Sequence, residues 1–506
     1  MSAGREGEEI HMKSMRCIHK WATAFVAVGL AASAAPVLRA QAQSQISSAA
    51  ALSATAPGST TPSSAETQKR LDDLQKELTE LQTQIADLKA AQSAPAVKNA
   101  ALTSAAPSAA SQPMATPAAD DAPAKITLAG LLGPTTISGL VDGYYEFDNN
   151  HPVNNQAGFR FFEGNTNAFS LSMAEIGVAK APDSSSTEAR FGYHVVAAYG
   201  QSAYNVNILD PATDGSNFFI EQAYGSYLAP IGKGLQIDVG KFVTPIGAEV
   251  IESNGDWNYS RGILFYYAIP FFHVGARATY AFDPKWTVAG YIVNGWNNSI
   301  ICHTCGGSPV GSFNVGGSAG LTYIGSVTWN PNAKWSVIEN YTGGPVIDAY
   351  ESNLKSINDW KQLSDTVISY TPNSKWAFLL NGDYGFGPRY YNALVAPASA
   401  SPAVKWWGVA GYAKYTLTPK SYAAVRYEYY GDPNGYTGLL GGANGHAQEV
   451  TGDYSYNLTS GLQVRGEYRY DLASEPFFEA GANTFKQTQH TVTLGFVYSF
   501  SSVNAK

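Results

Sequence analysis

The sequence is poor in charge, in cysteine and in long apolar runs. Only 14% of its 506 residues are charged and the formal net charge is −8 at pH 7, which argues against nucleic acid as a partner. Three cysteines are too few for a chain of this size to depend on disulfides. A bundle of membrane helices needs several apolar spans of about 20 residues. The sequence has one short apolar run, near its N-terminus.

Catalytic signatures are also lacking. The chain contains no G-x-S-x-G, H-E-x-x-H or phosphate-binding-loop motif, and its eight histidines have no motif around them. We therefore predict that the protein is not an enzyme and uses no cofactor and no metal. The enzymatic alternative is a set of scattered Ser, His and Asp residues that meet only in the folded chain.

The N-terminal region has the layout of a secretion signal. Lys13 and Lys20 lie in a basic stretch that precedes the apolar run at 21–35, and a small-x-small cleavage pattern follows at 40–42. We predict a signal peptide over 1–42 that is removed after export. An uncleaved N-terminal anchor is the alternative.

Two Ala-, Ser- and Pro-rich linkers, 43–65 and 91–125, flank a helical pattern at 66–90. Apolar residues recur there at intervals of three and four, as in the seam of a coiled coil: Leu71, Leu74, Leu78, Leu81, Ile85 and Leu88. Three heptads are marginal alone, so we predict self-association beside a larger contact. The alternative is one amphipathic helix that lies on another surface.

After residue 126 the hydrophobic pattern has a period of two, which predicts β-strands. In the segment 461–473, apolar and aromatic residues alternate with four charged ones, Arg465, Glu467, Arg469 and Asp471. A soluble sheet would turn such charges outward to water. A membrane barrel turns them into a wet lumen, and its aromatic-rich face meets lipid.

The connections between strands decide between these two architectures. Short turns with Pro, Lys and Trp recur at 283–286, 331–335 and 372–376, and longer stretches rich in Gly, Asn and Ser alternate with them. Short turns at one end and long loops at the other are the layout of outer-membrane barrels. We count sixteen strands and predict an all-β, transmembrane, antiparallel barrel over 126–506, with both ends on the short-turn, periplasmic side.

Four stretches of the barrel region carry a family resemblance: 138–146 (SGLVDGYYE), 240–249 (GKFVTPIGAE), 258–261 (NYSR) and 268–277 (AIPFFHVGAR). With these motifs the chain resembles the OmpL-like β-barrel porin family over about 126–500. The resemblance implies a porin and implies no particular substrate. One departure is that six residues follow Phe500, whereas outer-membrane barrels generally end on the aromatic residue.

Alternation within the strands assigns a set of charged side chains to the lumen, because Arg or Lys facing hydrocarbon at mid-depth costs about 2–4 kcal/mol. The pore-lining candidates are Asp142, Glu146, His273, Arg277, Arg426, Glu428, Glu449, Asp453, Arg465, Glu467, Arg469 and Asp471. The same alternation assigns Phe272 and Val274 to the lipid-facing side. The alternative role of the charges is a salt-bridged ladder that stiffens the wall and selects nothing.

The connection at 245–270 is too long for a plain turn, and it carries four charges that are candidates for a pore constriction: Glu249, Glu252, Asp256 and Arg261. If it folds inward, carboxylates opposite an arginine set a transverse field at the narrowest point. The alternative is an outward surface loop. Lys241 shares the parity of the lipid-facing Val239, so it requires a bulge or a position at the rim.

Cys302 and Cys305 form a lone C-x-x-C in a predicted extracellular loop. A structural zinc site would need a second pair of ligands, so we expect a local disulfide instead. A redox-active pair would require a βαβ context, which the sequence does not offer.

The sequence therefore predicts an outer-membrane porin that lets small polar solutes diffuse through a water-filled barrel surrounded by lipid. The second hypothesis is a structural or adhesive barrel with a plugged lumen, and an enzyme on a barrel is the third. The mixture of lumen charges fits sugars, peptides, anions or cations equally well.

We predict a homo-oligomer, with a trimer as the expected form, held in part by the heptads. Deletion of residues 66–90 should loosen or abolish the oligomer while the barrel stays folded, because the linkers separate the two regions. The mass of the purified particle in detergent measures this outcome. An unchanged mass would assign the contact to the barrel walls instead.

Overall fold

The computed structural model describes residues 133–213, 215–301, 317–318, 320–347, 359–389 and 403–502. The predicted signal peptide (1–42), linkers (43–65 and 91–125) and coiled coil (66–90) lie outside the described residues, as do Cys302 and Cys305. Within these ranges, no helix is long and apolar enough to span a membrane.

The described residues form a closed antiparallel barrel of sixteen strands. The strands are β1 (Thr136–Asp148), β2 (Ala168–Lys180), β3 (Phe191–Tyr199), β4 (Phe218–Ala229), β5 (Leu235–Val243), β6 (Phe272–Ala281), β7 (Trp286–Val293), β8 (Thr322–Asn332), β9 (Trp335–Ile347), β10 (Asp359–Tyr370), β11 (Trp376–Arg389), β12 (Ala403–Thr418), β13 (Ser421–Asp432), β14 (Gly445–Asn457), β15 (Leu462–Ala473) and β16 (Thr488–Ser501). Two-residue strand pieces occur at Gly317–Ser318, Phe478–Glu479 and Phe485–Lys486. The predicted fold class and strand number are confirmed.

Each strand pairs with the next one along the chain, and β1 closes the wall by pairing with β16. In that closing pair Gly139 lies opposite Phe500 and Phe147 lies opposite Val492. Closure leaves no strand edge, so every wall strand has a hydrogen-bonded neighbour on both sides.

The wall has an apolar outside and a charged inside, as β13 illustrates. Val425 and Tyr427 are 54% and 47% exposed on the outer face, whereas Arg426 and Glu428 between them are 1% and 0% exposed. Successive side chains of a strand point to opposite faces, so one sequence of alternating type serves both environments.

The short turns owe their shape to side-chain oxygens that hold the backbone. Asn373 Oδ1 accepts hydrogen bonds from the N–H groups of Lys375 (2.9 Å) and Trp376 (3.0 Å). Asp283 Oδ1 does the same for Lys285 (2.7 Å) and Trp286 (2.8 Å). Such Asx turns fix the reversal of the chain. They also start the next strand on a partly exposed Trp, at the position of an interfacial aromatic girdle.

Connections at the other end of the wall are longer, and several of them fold inward. The segment 149–167 and the segment 245–270 both enter the barrel, and the second contains a 3₁₀ turn (Ser253–Gly255) and a short helix α2 (Ile263–Tyr267). Helix α1 (Gln201–Asn207) follows β3. Aromatic rings of the two inward-folded segments contribute to the buried core. Phe162 packs there on Phe265 (ring centroids 5.5 Å apart) and on Phe271 (5.5 Å).

Candidate functional site

The centre of the site is the segment 245–270, called the inner segment below, which lies in the lumen against the charged side of the wall. Its first part is bound to β10 and β11. The Gly247 N–H donates to Asp365 Oδ2 (3.1 Å) and the Ala248 N–H to Asn381 Oδ1 (3.1 Å). The first part of the inner segment therefore contacts the inner side of the wall.

The later part of the inner segment is bound to β13 and β15, two strands near the C-terminal end of the barrel. The N–H groups of Tyr259 and Ser260 donate to the Glu467 carboxylate, the first at 2.7 Å. The Ile263 N–H donates to Glu428. Two wall carboxylates thus accept hydrogen bonds from backbone N–H groups that have no regular partner within the segment.

Asp142 of β1 holds the middle of the inner segment with both of its oxygens. Ser253 Oγ and the Tyr259 hydroxyl each donate to this carboxylate at 2.7 Å. The ring of Tyr259 lies directly on the wall at Gly495, where a Cβ atom would stand only 2.5 Å from the ring. The glycine is therefore needed for this close approach.

Three wall arginines complete the contacts by donating to backbone carbonyls of the inner segment. Arg465 Nη1 reaches the Ser253 oxygen (2.6 Å), Arg426 Nη1 the Ser260 oxygen (2.5 Å) and Arg469 Nη1 the Arg261 oxygen (2.7 Å). Guanidinium groups suit this task because each one can donate to several acceptors at once.

The same arginines form ion pairs with wall and segment carboxylates. Arg426 bridges Glu249 (2.7 Å) and Glu449 (2.6 Å). Arg469 pairs with Asp471 (2.8 Å), and Arg465 lies 3.4 Å from Asp453. The ladder that the sequence analysis gave as an alternative is therefore present in the structure, and the inner segment is part of it.

The structure places all twelve pore-lining candidates on the inner side of the wall and buries them. Ten of them surround the inner segment or its ion pairs, and His273 and Arg277 form a separate group on β6. Arg277 Nε pairs with Asp238 (2.7 Å). The His273 ring contacts the Gly295 carbonyl oxygen (2.9 Å) and the Thr244 hydroxyl (3.1 Å).

The strand alternation was wrong at Phe272, which is fully buried rather than lipid-facing. It is the first residue of β6, where connecting segments cover the wall, and its ring packs on Phe219. Lys241 is third from the end of β5, a rim position, with Nζ 4.0 Å from the Phe272 ring and 3.9 Å from Asp210. Gly240 before it has a φ of +139°, a conformation that glycine adopts readily and other residues rarely.

The four constriction candidates all lie inside the barrel. Arg261 is near Asp256 (3.8 Å) and near Glu163 of the segment 149–167 (3.6 Å). Burial raises the pKa of Asp256 well above its usual range, and the neighbouring Glu249 raises it further. Burial also raises the pKa of Glu163 to about 7, although Arg261 and Arg160 oppose the shift.

Arg160 and Glu163 are site residues that sequence reasoning missed. Arg160 Nη1 pairs with Asp471 (3.0 Å) and its Nη2 donates to Thr491 (2.7 Å). The signal that was available is the run FRFFE at 159–163, which is too aromatic for a loop in water.

The lumen is filled most densely at the depth of the inner segment. Nearer the short turns, inward-facing side chains such as His194, Thr279, Ser326 and Thr328 are only partly buried. The lumen is thus lined by partly buried polar side chains on one side of the inner segment and by buried charges of both signs at the segment itself.

Comparison with known proteins gives one family and a set of barrels. The model of the family described as "Putative beta-barrel porin-2, OmpL-like" matches residues 134–500. No curated protein matches the chain. Three solved barrel structures each align with 72% of this chain. They are an anion-selective porin from Comamonas acidovorans (11% identity, 99% of that chain, TM-score 0.47), OmpT of Vibrio cholerae in its trimer form (12%, 99%, 0.45) and Salmonella typhi OmpF in complex with daunomycin (13%, 97%, 0.44).

We predict that Arg426→Met destabilises the barrel by about 3–5 kcal/mol, because Glu249 then loses its buried partner and Glu449 keeps only Arg469, at 3.5 Å. Urea unfolding in lipid vesicles measures the change. The variant that also carries Glu249→Gln and Glu449→Gln should recover much of the loss, since it removes the unpaired charges. Lys375→Met, at an exposed turn, is the control and should stay within about 0.5 kcal/mol of the parent. A triple variant no more stable than the single one would contradict this explanation.

Proposed function

The chain belongs to the beta-barrel porin-2, OmpL-like family, and on this basis we propose that it carries small polar solutes across the outer membrane by passive diffusion. The observation that carries the proposal is the two-sided wall of sixteen strands. Apolar side chains cover most of its outer face, and most of its charged side chains lie on the inner face. A barrel of this strand number is wide enough to leave an aqueous channel.

We propose that the inner segment is the constriction of this channel. Its support is the series of hydrogen bonds to Asp365, Glu428 and Glu467, which hold it at one depth in the lumen. The pore-lining and constriction candidates then act together, since the wall charges position the segment and the segment sets the width. The charges beside the remaining opening determine which solutes pass.

Export and assembly belong to the same proposal. A signal peptide over 1–42 would deliver the chain to the periplasm, and a coiled coil over 66–90 would help to join barrels into an oligomer. Diffusion through a fixed opening requires no chemical step, so we propose that the protein is not an enzyme.

A second candidate function, a structural or adhesive barrel with a plugged lumen, is favoured by one specific observation. At the depth of the inner segment the lumen-facing charges, among them Asp142, Glu467 and Arg469, are almost completely buried. A plug would bury them in the same way as a constriction does.

Conductance separates these two functions. The purified protein in a planar lipid bilayer should give discrete open-channel steps, because a constriction leaves a continuous water path that ions can follow. The same preparation after thermal unfolding is the control and should give none. A folded protein that stays silent over a wide range of voltage would overturn the porin assignment in favour of the plugged barrel.

We predict a modest cation preference, because carboxylates outnumber guanidinium groups around the inner segment. The preference should grow as pH rises through about 7, where Glu163 loses its proton. Replacement of Glu249, Glu252 and Asp256 by their amides should shift the reversal potential toward anions, and the barrel should stay folded because Arg426 keeps its pair with Glu449. Glu339→Gln, at an exposed carboxylate, is the control. An unchanged reversal potential in the triple variant would place the selective charges on the wall alone.

A further inference from the structure

Three carboxylates meet where the inner segment faces β2 and β4. Glu175 lies on β2, Glu221 on β4 and Glu252 on the inner segment, and one oxygen from each lies within 4.8 Å of the other two. They come from positions far apart in the sequence, so only the folded barrel assembles the group. None of the three was a pore-lining candidate from the sequence, and Glu252 was a candidate for the constriction.

Glu221 is held in this group by an irregularity of the strand. The pairing of β3 with β4 shifts between Val196 and Ala197, which pair with Gln222 and Ile220, so Glu221 is the extra residue of a β-bulge. The bulge turns two successive side chains inward, and both Glu221 and Gln222 are buried. Bulges re-aim side chains in this way and are common beside functional sites.

The carboxylate of Glu221 is fully buried, and neither of its oxygens has a hydrogen-bond partner among the described residues. One oxygen of Glu175 and one of Glu252 are buried and unpartnered as well. The positive charge of Lys241 attracts the Glu221 carboxylate. The ammonium group also lies 3.9 Å from Asp210, so two carboxylates compete for one cation. Buried, unpaired carboxylates that face one another are strongly unfavourable unless they take up protons or a cation joins them.

We propose that Glu175, Glu221 and Glu252 bind a divalent cation, most suitably Ca²⁺. Calcium takes six to eight oxygen ligands at about 2.3–2.6 Å, so ligands on opposite sides of the ion are about 4.6–5.2 Å apart. The spacing of the three oxygens fits around one such ion. Mg²⁺ is smaller, requires near-octahedral geometry and keeps most of its water, so it suits this group less.

The bound ion would tether the inner segment to the wall. Glu252 immediately precedes the 3₁₀ turn that begins at Ser253, whose hydroxyl and carbonyl groups are held by Asp142 and Arg465. The ion would add β2 and β4 to the strands that hold the segment. Although the sequence analysis predicted no metal, the site follows from the three-dimensional grouping. It does not depend on whether the barrel conducts.

Calorimetric titration of the full-length protein with calcium chloride, in detergent and after treatment with a chelator, tests this site. We expect one saturable site per chain, and about tenfold or greater loss of affinity in Glu221→Gln and in Glu252→Gln. Glu339→Gln removes an exposed carboxylate elsewhere and should bind calcium like the parent.

Two results would overturn the site. The first is the absence of saturable binding to the parent protein, which would mean that the three carboxyl groups share protons instead. The second is binding that both Gln variants retain at parental affinity, which would place the ion elsewhere. Both results concern binding alone and leave the conductance experiment to judge the porin function separately.

Discussion

The interior of this barrel depends on hydrogen bonds between charged wall side chains and the backbone of an irregular segment. A chain without regular structure carries N–H and C=O groups that must find partners when water is excluded. Carboxylates such as Glu467 take the N–H groups, and guanidinium groups such as Arg469 take the carbonyls. The wall charges therefore act first as attachment points, and any effect on solutes follows from the position that they impose.

This form of attachment is specific rather than strongly stabilising. Burial of an ion pair costs nearly as much as the attraction returns, so the pairs around Arg426 add little net stability. Their geometry is demanding, however, because each guanidinium must meet several acceptors together. Apolar contacts such as that between Phe162 and Phe265 supply the less directional part of the packing.

Much of the fold was predictable because alternation is a local property. The sequence of β13 assigns Arg426 and Glu428 to one face without knowledge of any other strand, and the short-turn, long-loop layout of a membrane barrel makes that face the inside. Alternation does not predict which charges meet, since Arg426 and Glu249 are far apart along the chain. It also fails at Phe272, because connecting segments bury the start of β6, and it does not reveal the bulge that turns both Glu221 and Gln222 inward. The position of the segment 149–167 depends on packing against residues far away in the sequence. The sequence indicates its burial only through the aromatic run at 159–163.

The pairing of the first strand with the last has a consequence for the order in which the barrel forms. Until β16 is in place, β1 and β15 present two open edges, so neither the wall nor the lumen exists as an enclosed volume. The partners of the inner segment on β1 and β15 become simultaneously available only at that point. A chain that folds from its N-terminus therefore completes the attachment of residues 245–270 only late in its assembly, although the partners on β10 and β11 precede β16. Ring closure and the capture of this segment are then one late, cooperative event, with the slow kinetics expected of contacts between distant parts of a sequence.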